Sequence, residues 1–280
     1  VLKASLELAA LAHGEGKLSE AVNHYKSVLR SVEGRQLSQT DSALLAVAHN
    51  NLGFILQGRK NTSEAVRSYQ AAVELNPSYS EAHHNIGHIL HEVGDLKGAT
   101  LSYEKVVQIA PKSIDSLNTL GSALLSYGDL PRANTIFRQA LQLDPHSPKA
   151  LNNVGSVLLA LGEVNEATAY FKAAIRLNPN YENALINLGD AFRDLKKLGK
   201  AYKCFVEALA IEPDSIRAHN SLGNLLRYEK RYKEALESFN AINSLMADSN
   251  RSRSPENDEY WFNAEAQALE CLFLLDRHEE

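Results

Sequence analysis

Side-chain amides recur along this 280-residue sequence at multiples of 34 residues. Two neighbouring series share that spacing: Asn51, Asn85, Asn153 and Asn187, and one residue earlier Asn50, Asn118, Asn152 and Asn220. An amide offers N–H donors and a carbonyl acceptor, so it can pair with the backbone of an extended peptide of any sequence. Because asparagine costs roughly 0.5 kcal/mol relative to alanine in a helix, its repeated use predicts a peptide-binding role for this asparagine ladder. The alternative is that the amides bond to adjacent helices and fix the array.

Histidines continue the same helical stripe. His84, His88 and His91 are spaced i, i+4 and i+7, so they share one helix face. Two imidazoles at i, i+4 can share a zinc ion. No cysteine lies in the stripe and only Glu81 and Glu92 could add ligands, so we predict neither a metal site nor a cofactor. Solvated histidines, or a patch whose binding changes where histidine titrates, explain the stripe better.

The later repeats place charged side chains on the stripe. They lie on the predicted first helices of the fifth to seventh repeats: Lys149, Asp190, Arg193, Asp194, Arg217, Asn224, Arg227 and Tyr228. Such a zone could clamp a carboxylate or an acidic motif, because guanidinium groups bind carboxylates in a bidentate manner. The alternative is an ordinary surface of mixed charge.

A period of 34 residues sets the helices that must position these side chains. We number each repeat so that its recurring glycine is position 8; these glycines are Gly53, Gly87, Gly121, Gly155, Gly189 and Gly223. Each of these repeats also has an alanine at position 20 and an aromatic residue at position 24, and five of them end with a proline. Apolar spacing predicts helices over 80–93 and 95–110. A helical glycine costs roughly 1 kcal/mol. We therefore predict that small residues at 8 and 20 let two helices approach, and that residue 24 fills a gap presented by the next repeat.

This pattern resembles the tetratricopeptide repeat (TPR), whose template over 34 residues is W-x2-L-G-x2-Y, A-x3-F, then P. Residues 46–247 match it six times, although the template's Trp is absent. The runs 50-NNLG, 152-NNVG and 75-LNP are most similar to the repeats of O-linked N-acetylglucosamine transferases. The resemblance implies an all-α, right-handed α-solenoid (superhelix) whose first helices line a concave groove through positions 2, 5, 6, 9, 12 and 13.

The predicted organisation is one continuous solenoid with seven complete units. Their ranges are 2–35, 46–79, 80–113, 114–147, 148–181, 182–215 and 216–247. Residues 36–45 form either a longer second helix or a surface loop, and 248–258 form a polar linker. Residues 259–280 are predicted as the first helix of a truncated eighth unit, so the chain is interpreted as a fragment.

Composition excludes several classes of function. The net charge of −5 does not indicate a nucleic-acid-binding protein. The sequence has no apolar run of 18 residues, so we predict no membrane insertion. Two cysteines cannot build a disulfide framework, which favours a cytoplasmic or nuclear, intracellular location. Motifs for phosphate binding, nucleophilic elbows and zinc proteases are absent, so the chain itself is predicted not to be an enzyme.

The sequence therefore predicts a protein-interaction module. Its partner would be a protein or an extended peptide held in the groove by the asparagine ladder. Two alternatives remain: a substrate-recruiting region of a larger enzyme, such as a glycosyltransferase, with its catalytic domain beyond residue 280; or an assembly scaffold using the convex face or the array ends, including self-association. A co-chaperone role is disfavoured, because position 5 is never the lysine that such proteins use.

Overall fold

A computed structural model of the chain describes residues 2–247 and 255–279, with side chains described in 2–247 and 259–275. Throughout these residues the backbone forms α-helices joined by turns, and no strand occurs in them. The helices are α1 (Leu2–Gly14), α2 (Leu18–Ser31), α3 (Gln39–Gly58), α4 (Thr62–Leu75), α5 (Ser80–Glu92), α6 (Leu96–Ile109), α7 (Ile114–Tyr127), α8 (Leu130–Leu143), α9 (Pro148–Ala160), α10 (Val164–Leu177), α11 (Glu182–Asp194), α12 (Leu198–Ile211), α13 (Ile216–Tyr228), α14 (Tyr232–Ala247) and α15 (Pro255–Glu279).

The chain divides into two compact units, Val1–Ile136 and Phe137–Glu280, which we call unit 1 and unit 2. Sequence reasoning treated the array as one continuous solenoid. Each repeat of such an array contacts mainly its neighbours, so the sequence period gives no indication of where a long array separates into compact parts. The boundary falls within α8.

Each repeat consists of a first helix and a second helix, beginning with α1 and α2. The segment before the second repeat differs from both predicted alternatives: α2 ends at Ser31 and α3 begins at Gln39, so most of 36–45 lengthens the following first helix. Ser38 explains that start, because its Oγ accepts a hydrogen bond of 3.1 Å from the Asp41 N–H and donates one of 2.8 Å to Asp41 Oδ2.

The last helix also begins earlier than predicted. α15 starts at Pro255, so residues 255–258 belong to a helix and not to the predicted linker. Proline suits the first helical position, because its φ is already helical and its missing N–H would have no partner there. The rest of the predicted linker, 248–254, lies outside the described residues.

The recurring glycines accommodate aromatic rings. In five repeats the ring at position 24 lies on the glycine of its own repeat: Gly53 with Tyr69, Gly87 with Tyr103, Gly155 with Phe171, Gly189 with Phe205 and Gly223 with Phe239. A Cβ on Gly155 would lie 2.6 Å from Phe171 Cε1. The glycine is therefore a packing requirement as predicted, and the ring that lies against it belongs to the same repeat.

The turn between the two helices of a repeat needs a left-handed residue at position 15. Glycine fills that position in four turns, such as Gly94 at φ 83° and Gly162 at φ 81°. Lysine fills it in three: Lys60, Lys196 and Lys230, with φ of 60°, 58° and 62°. An L-residue in this conformation costs roughly 1–2 kcal/mol, because its Cβ crowds the following carbonyl.

Histidines at position 4 interact with the preceding repeat. His83 Nε2 donates to the Pro77 carbonyl at 3.0 Å, and His219 Nε2 donates to the Pro213 carbonyl at 2.9 Å. His49 has no proline at the matching place, because the segment before it is helical. Its buried Nδ1 has no hydrogen-bond partner in the described residues. Burial lowers the pKa of His49, and the Glu74 carboxylate partly opposes that shift.

We expect His49 to make the stability of the chain depend on pH. Its folded pKa lies below its unfolded value of about 6.5, so the unfolded chain binds the proton more readily. The resulting stability is complete above about pH 6.5 and is lost as the pH falls towards the folded pKa. Thermal unfolding of His49→Gln should depend less on pH than that of the wild type. The exposed His91→Gln serves as the control, and equal pH dependence of wild type and His49→Gln would contradict the prediction.

Candidate functional site on the first helices

The predicted ladder amides link neighbouring first helices. Asn85 Nδ2 donates to Asn50 Oδ1 at 2.9 Å, and Asn187 Nδ2 donates to Asn152 Oδ1 at 2.8 Å. Both bonds join position 6 of one repeat to position 5 of the repeat before it. The same contact therefore recurs once in unit 1 and once in unit 2.

Asn187 lies at the centre of a larger network in unit 2. Its Nδ2 also donates to Ser156 Oγ at 3.2 Å, and its Oδ1 accepts from Arg217 Nη2. Arg217 Nη1 donates to Asn183 Oδ1 at 3.0 Å. Donor and acceptor of the Asn187 amide are thus both used within the protein, and three successive first helices are tied together.

Burial divides the predicted amides into two groups. Asn50, Asn118, Asn152 and Asn187 are buried, with Asn187 only 7% exposed. The other amides are half-buried: Asn51, Asn85, Asn153, Asn220 and Asn224. Buried amides that bond across repeats serve to fix the spacing of the first helices, which is the alternative raised by the sequence. The half-buried members present more of their amide surface to a ligand than the buried ones do.

Asn51 faces the first repeat. Its Nδ2 donates to the Tyr25 hydroxyl at 3.2 Å. Its Oδ1 accepts no hydrogen bond from the described residues. That carbonyl is therefore an acceptor at the surface, held in place by the bond that the same amide donates.

The predicted histidines are exposed and make different contacts. His84 packs edge-on against the Tyr103 ring, with ring centroids 5.6 Å apart, and its pKa is lowered by burial and by His88. His88 Nδ1 lies 3.5 Å from Glu92 Oε2 and 3.4 Å from Gln57 Nε2. Within the described residues, no group of three His, Cys, Asp or Glu side chains has a geometry that could hold a metal ion.

The predicted charged residues of unit 2 are engaged with one another. Arg193 Nη1 lies 2.9 Å from Asp190 Oδ1, and its Nη2 lies 3.7 Å from Asp194 Oδ1. Burial raises the pKa of Asp190, while Arg193 and Arg217 oppose that shift. Arg227 Nη1 donates to Glu270 Oε2 at 2.7 Å, which ties α13 to α15. A carboxylate from a partner would therefore have to compete with internal acids for these arginines.

Unit 1 contains a pocket that sequence reasoning missed. The pocket lies between α1 and α3, has a volume of about 190 Å³ and is mostly apolar. Its walls come from these residues: Lys3, Leu6, Glu7, Ala10, Tyr25, Leu44, Val47, Ala48 and Asn51. Phe54 follows Asn51 by three residues on α3 and is 59% exposed, and the centroid of its ring lies 6.0 Å from that of His13. The available indication was the first repeat itself, in which positions 5 and 9 are both apolar, Leu6 and Ala10, whereas each later repeat has a polar residue at one or both of them.

Tandem helix pairs with a glycine–aromatic contact in five repeats define a TPR protein of the all-α solenoid class. The family model described as the cilia and flagella-associated protein 70 C-terminal domain matches residues 8–258. The chain therefore belongs to that TPR family. TPR repeats are typically protein-interaction modules.

Solved structures share the fold. A tetratricopeptide repeat protein from Parabacteroides merdae has a TM-score of 0.75 at 16% identity, covering 94% of this chain and 98% of that one. PilF of Pseudomonas aeruginosa has a TM-score of 0.57 at 19% identity, covering 82% and 99%. YrrB, described as a TPR protein with an unusual peptide-binding site, has a TM-score of 0.50 at 24% identity, covering 62% and 89%. These identities establish similarity of fold alone.

Two further findings bear on the class of protein. A search of curated proteins gave no significant match. Among the described helices, none combines the length and apolar character that crossing a bilayer requires.

Proposed function

We propose that the chain binds an extended segment of a partner protein on the first helices of unit 1, with one large apolar side chain of the segment in the α1–α3 pocket. The observation that carries this proposal is the open apolar pocket of about 190 Å³. Val47, which lines the pocket, is 43% exposed, and Phe54 on the same helix is 59% exposed. Contiguous exposed apolar surface with a polar rim is typical of interaction sites.

Polar groups around the pocket can orient the segment. Asn51 Oδ1 is placed to accept a backbone N–H from the ligand, because Asn51 Nδ2 is already held by Tyr25. Lys3 and Glu7 give the pocket a charged rim of both signs. Preorganised side chains lower the entropy lost on binding. In this form of the proposal the ladder sets the spacing of the helices, and only its half-buried amides contact the ligand.

His84 and His88 lie one repeat further along unit 1 and are exposed. We propose that they contact the continuing segment and add selectivity. Burial and the neighbouring His88 lower the pKa of His84, which favours its neutral form. As a neutral ring it can both donate and accept a hydrogen bond.

Filling the pocket should abolish binding. Ala10 is an exposed residue of the pocket wall, so Ala10→Trp places an indole in the pocket without changing the core. Peptides selected from a random library on the wild-type chain should carry a large apolar residue and should bind Ala10→Trp at least about tenfold more weakly, which corresponds to 1.4 kcal/mol. Binding is measured by fluorescence anisotropy with each selected peptide labelled.

The matched control is Gln70→Trp, which adds the same side chain at an exposed position of the second helix α4. It should bind the selected peptides like the wild type. Equal binding by Ala10→Trp and the wild type would show that the pocket does not hold the peptide. A selection that yields only peptides without apolar residues would show the same.

The alternatives raised by the sequence remain hypotheses. A substrate-recruiting role for a catalytic domain elsewhere would use the same first-helix surface, and the chain itself is proposed to be non-catalytic. A scaffold role would use other surfaces. Its support is the exposed apolar side of α15, formed by Phe262, Leu269 and Phe273. Self-association through that side stays a prediction.

A further inference from the structure

Five lysines lie at the turns of the sixth and seventh repeats, in unit 2. They are all exposed, and none of them forms an ion pair within the described part of the chain. We call them the lysine strip: Lys196, Lys197, Lys200, Lys230 and Lys233. The chain as a whole carries a net charge of −5, so the positive charge of this strip is opposite in sign to that of the chain.

Two members of the strip occupy strained backbone positions. Lys196 and Lys230 stand at position 15 with φ of 58° and 62°, where the turns of the third to fifth repeats use glycine. Glycine adopts this conformation without the clash that a Cβ introduces. Strained residues persist where surrounding structure enforces them and are concentrated at functional sites. The choice of lysine at two adjacent turns therefore points to a use for its side chain.

The strip also works against the dipole of a helix. α12 begins after Lys197 and has Lys200 in its first turn, with no acidic residue in that turn. Cations near a helix N-terminus are unfavourable, since the macrodipole is positive there. The corresponding turn of α10 contains Glu166 instead. The helix dipole thus does not explain the presence of Lys197 and Lys200 at the start of α12.

Nearby acids do not neutralise the strip. Arg231, which lies between Lys230 and Lys233, forms ion pairs with Glu229 and Glu234. Its Nη1 lies 3.2 Å from Glu229 Oε2, its Nη2 lies 2.6 Å from Glu234 Oε2, and its guanidinium stacks 4.9 Å over the Tyr202 ring. Positive charge therefore accumulates at the surface on the lysines themselves.

We propose that the lysine strip is a docking surface for an acidic segment, rich in Asp and Glu, of a partner protein. Charge complementarity carries the proposal. Lys196 Nζ lies 5.3 Å over the Tyr228 ring, so the sixth-repeat turn is joined to the seventh. An open cleft of about 360 Å³ adjoins it, lined by Lys230, Lys233 and Leu275 among others. This surface is separate from the α1–α3 pocket and does not depend on it.

A peptide fits the strip better than a nucleic acid does. Binding of single strands relies on aromatic faces on which bases stack, and one face of the nearby Tyr228 ring already has Lys196 Nζ over it. The net charge of −5 repels a long polyanion. A short acidic segment needs only the two turns.

The test compares the wild type with Lys196→Gly/Lys230→Gly, using a fluorescein-labelled oligoglutamate peptide and anisotropy at about 0.15 M salt. Each lysine near an anionic surface contributes roughly fivefold, so the double variant should bind at least about tenfold more weakly. Its Tm should rise, by roughly 2–4 °C, because glycine relieves the strain at both turns. Weaker binding by a more stable protein cannot result from misfolding.

Two further variants separate charge from backbone. Lys60→Gly makes the same change at the same turn position of unit 1, where the next repeat has Gly94 followed by Asp95. It should raise the Tm and leave peptide binding unchanged. Lys196→Arg/Lys230→Arg keeps the charge and should retain binding. The proposal is overturned if the glycine double variant binds like the wild type, or if a single-stranded oligonucleotide or anionic lipid vesicles bind more tightly than the peptide.

Discussion

Replacing Gly155 by alanine should destabilise unit 2 by about 2 kcal/mol, although alanine is the better helix former. The added Cβ would lie 2.6 Å from Phe171 Cε1 and 2.8 Å from its Cδ1. Phe171 is fully buried, so its ring cannot swing into solvent. The expected overpacking loss exceeds the gain in helix propensity. Chemical denaturation gives the change in the free energy of unfolding.

Gly199→Ala is the matched control for that substitution. Gly199 lies in α12, and a Cβ there would meet no atom within 4 Å. This variant should be as stable as the wild type or up to about 1 kcal/mol more stable. The double variant Gly155→Ala/Phe171→Leu should lose less than the sum of its single changes, by about 1 kcal/mol. Additive losses of stability would show that Gly155 is not needed to accommodate the Phe171 ring.

Asn187→Ala should cost about 2 kcal/mol of stability, because it leaves the buried Asn152 carbonyl without its donor. The lost bonds are the 2.8 Å contact with Asn152 Oδ1, the 3.2 Å contact with Ser156 Oγ and the bond from Arg217. The partner groups lie on the first helices of both neighbouring repeats. Thermal and chemical denaturation of unit 2 measure the effect.

Asn224→Ala is the control for Asn187→Ala. Asn224 is a half-buried amide on a first helix and makes no hydrogen bond in the described residues. Its removal should change stability by less than about 0.5 kcal/mol. The double variant Asn152→Ala/Asn187→Ala should cost less than the sum of its singles, because it removes both members of the pair. If Asn187→Ala proved as stable as the wild type, the amides would not be structural.

The helices were predictable because the determining residues are local. The glycine, alanine and aromatic of each repeat recur at fixed spacing, and Pro111 follows the end of α6 at Ile109. The glycine was recognised as a packing residue, but periodicity does not reveal which ring lies against it. The start of α3 was missed because Ser38 and Asp41 cap a helix outside the repeat.

The candidate site was less predictable, because it depends on how adjacent helices meet. Sequence showed that Asn152 and Asn187 lie on the same stripe, but not that one amide donates to the other at 2.8 Å. That distance follows from helix packing and supports the structural role that the sequence raised as an alternative. The α1–α3 pocket likewise requires Ala10 and Val47 to line a common space.

The central claim is that a partner segment lies on the first helices of unit 1, and amide hydrogen exchange tests it most directly. The chain is compared with and without a saturating peptide selected from the random library. We predict slower exchange in α1 and α3, whose side chains line the pocket, and unchanged exchange in the second helices α2 and α4. Protection confined to α2 and α4, or to α15, would place the ligand elsewhere and contradict the account.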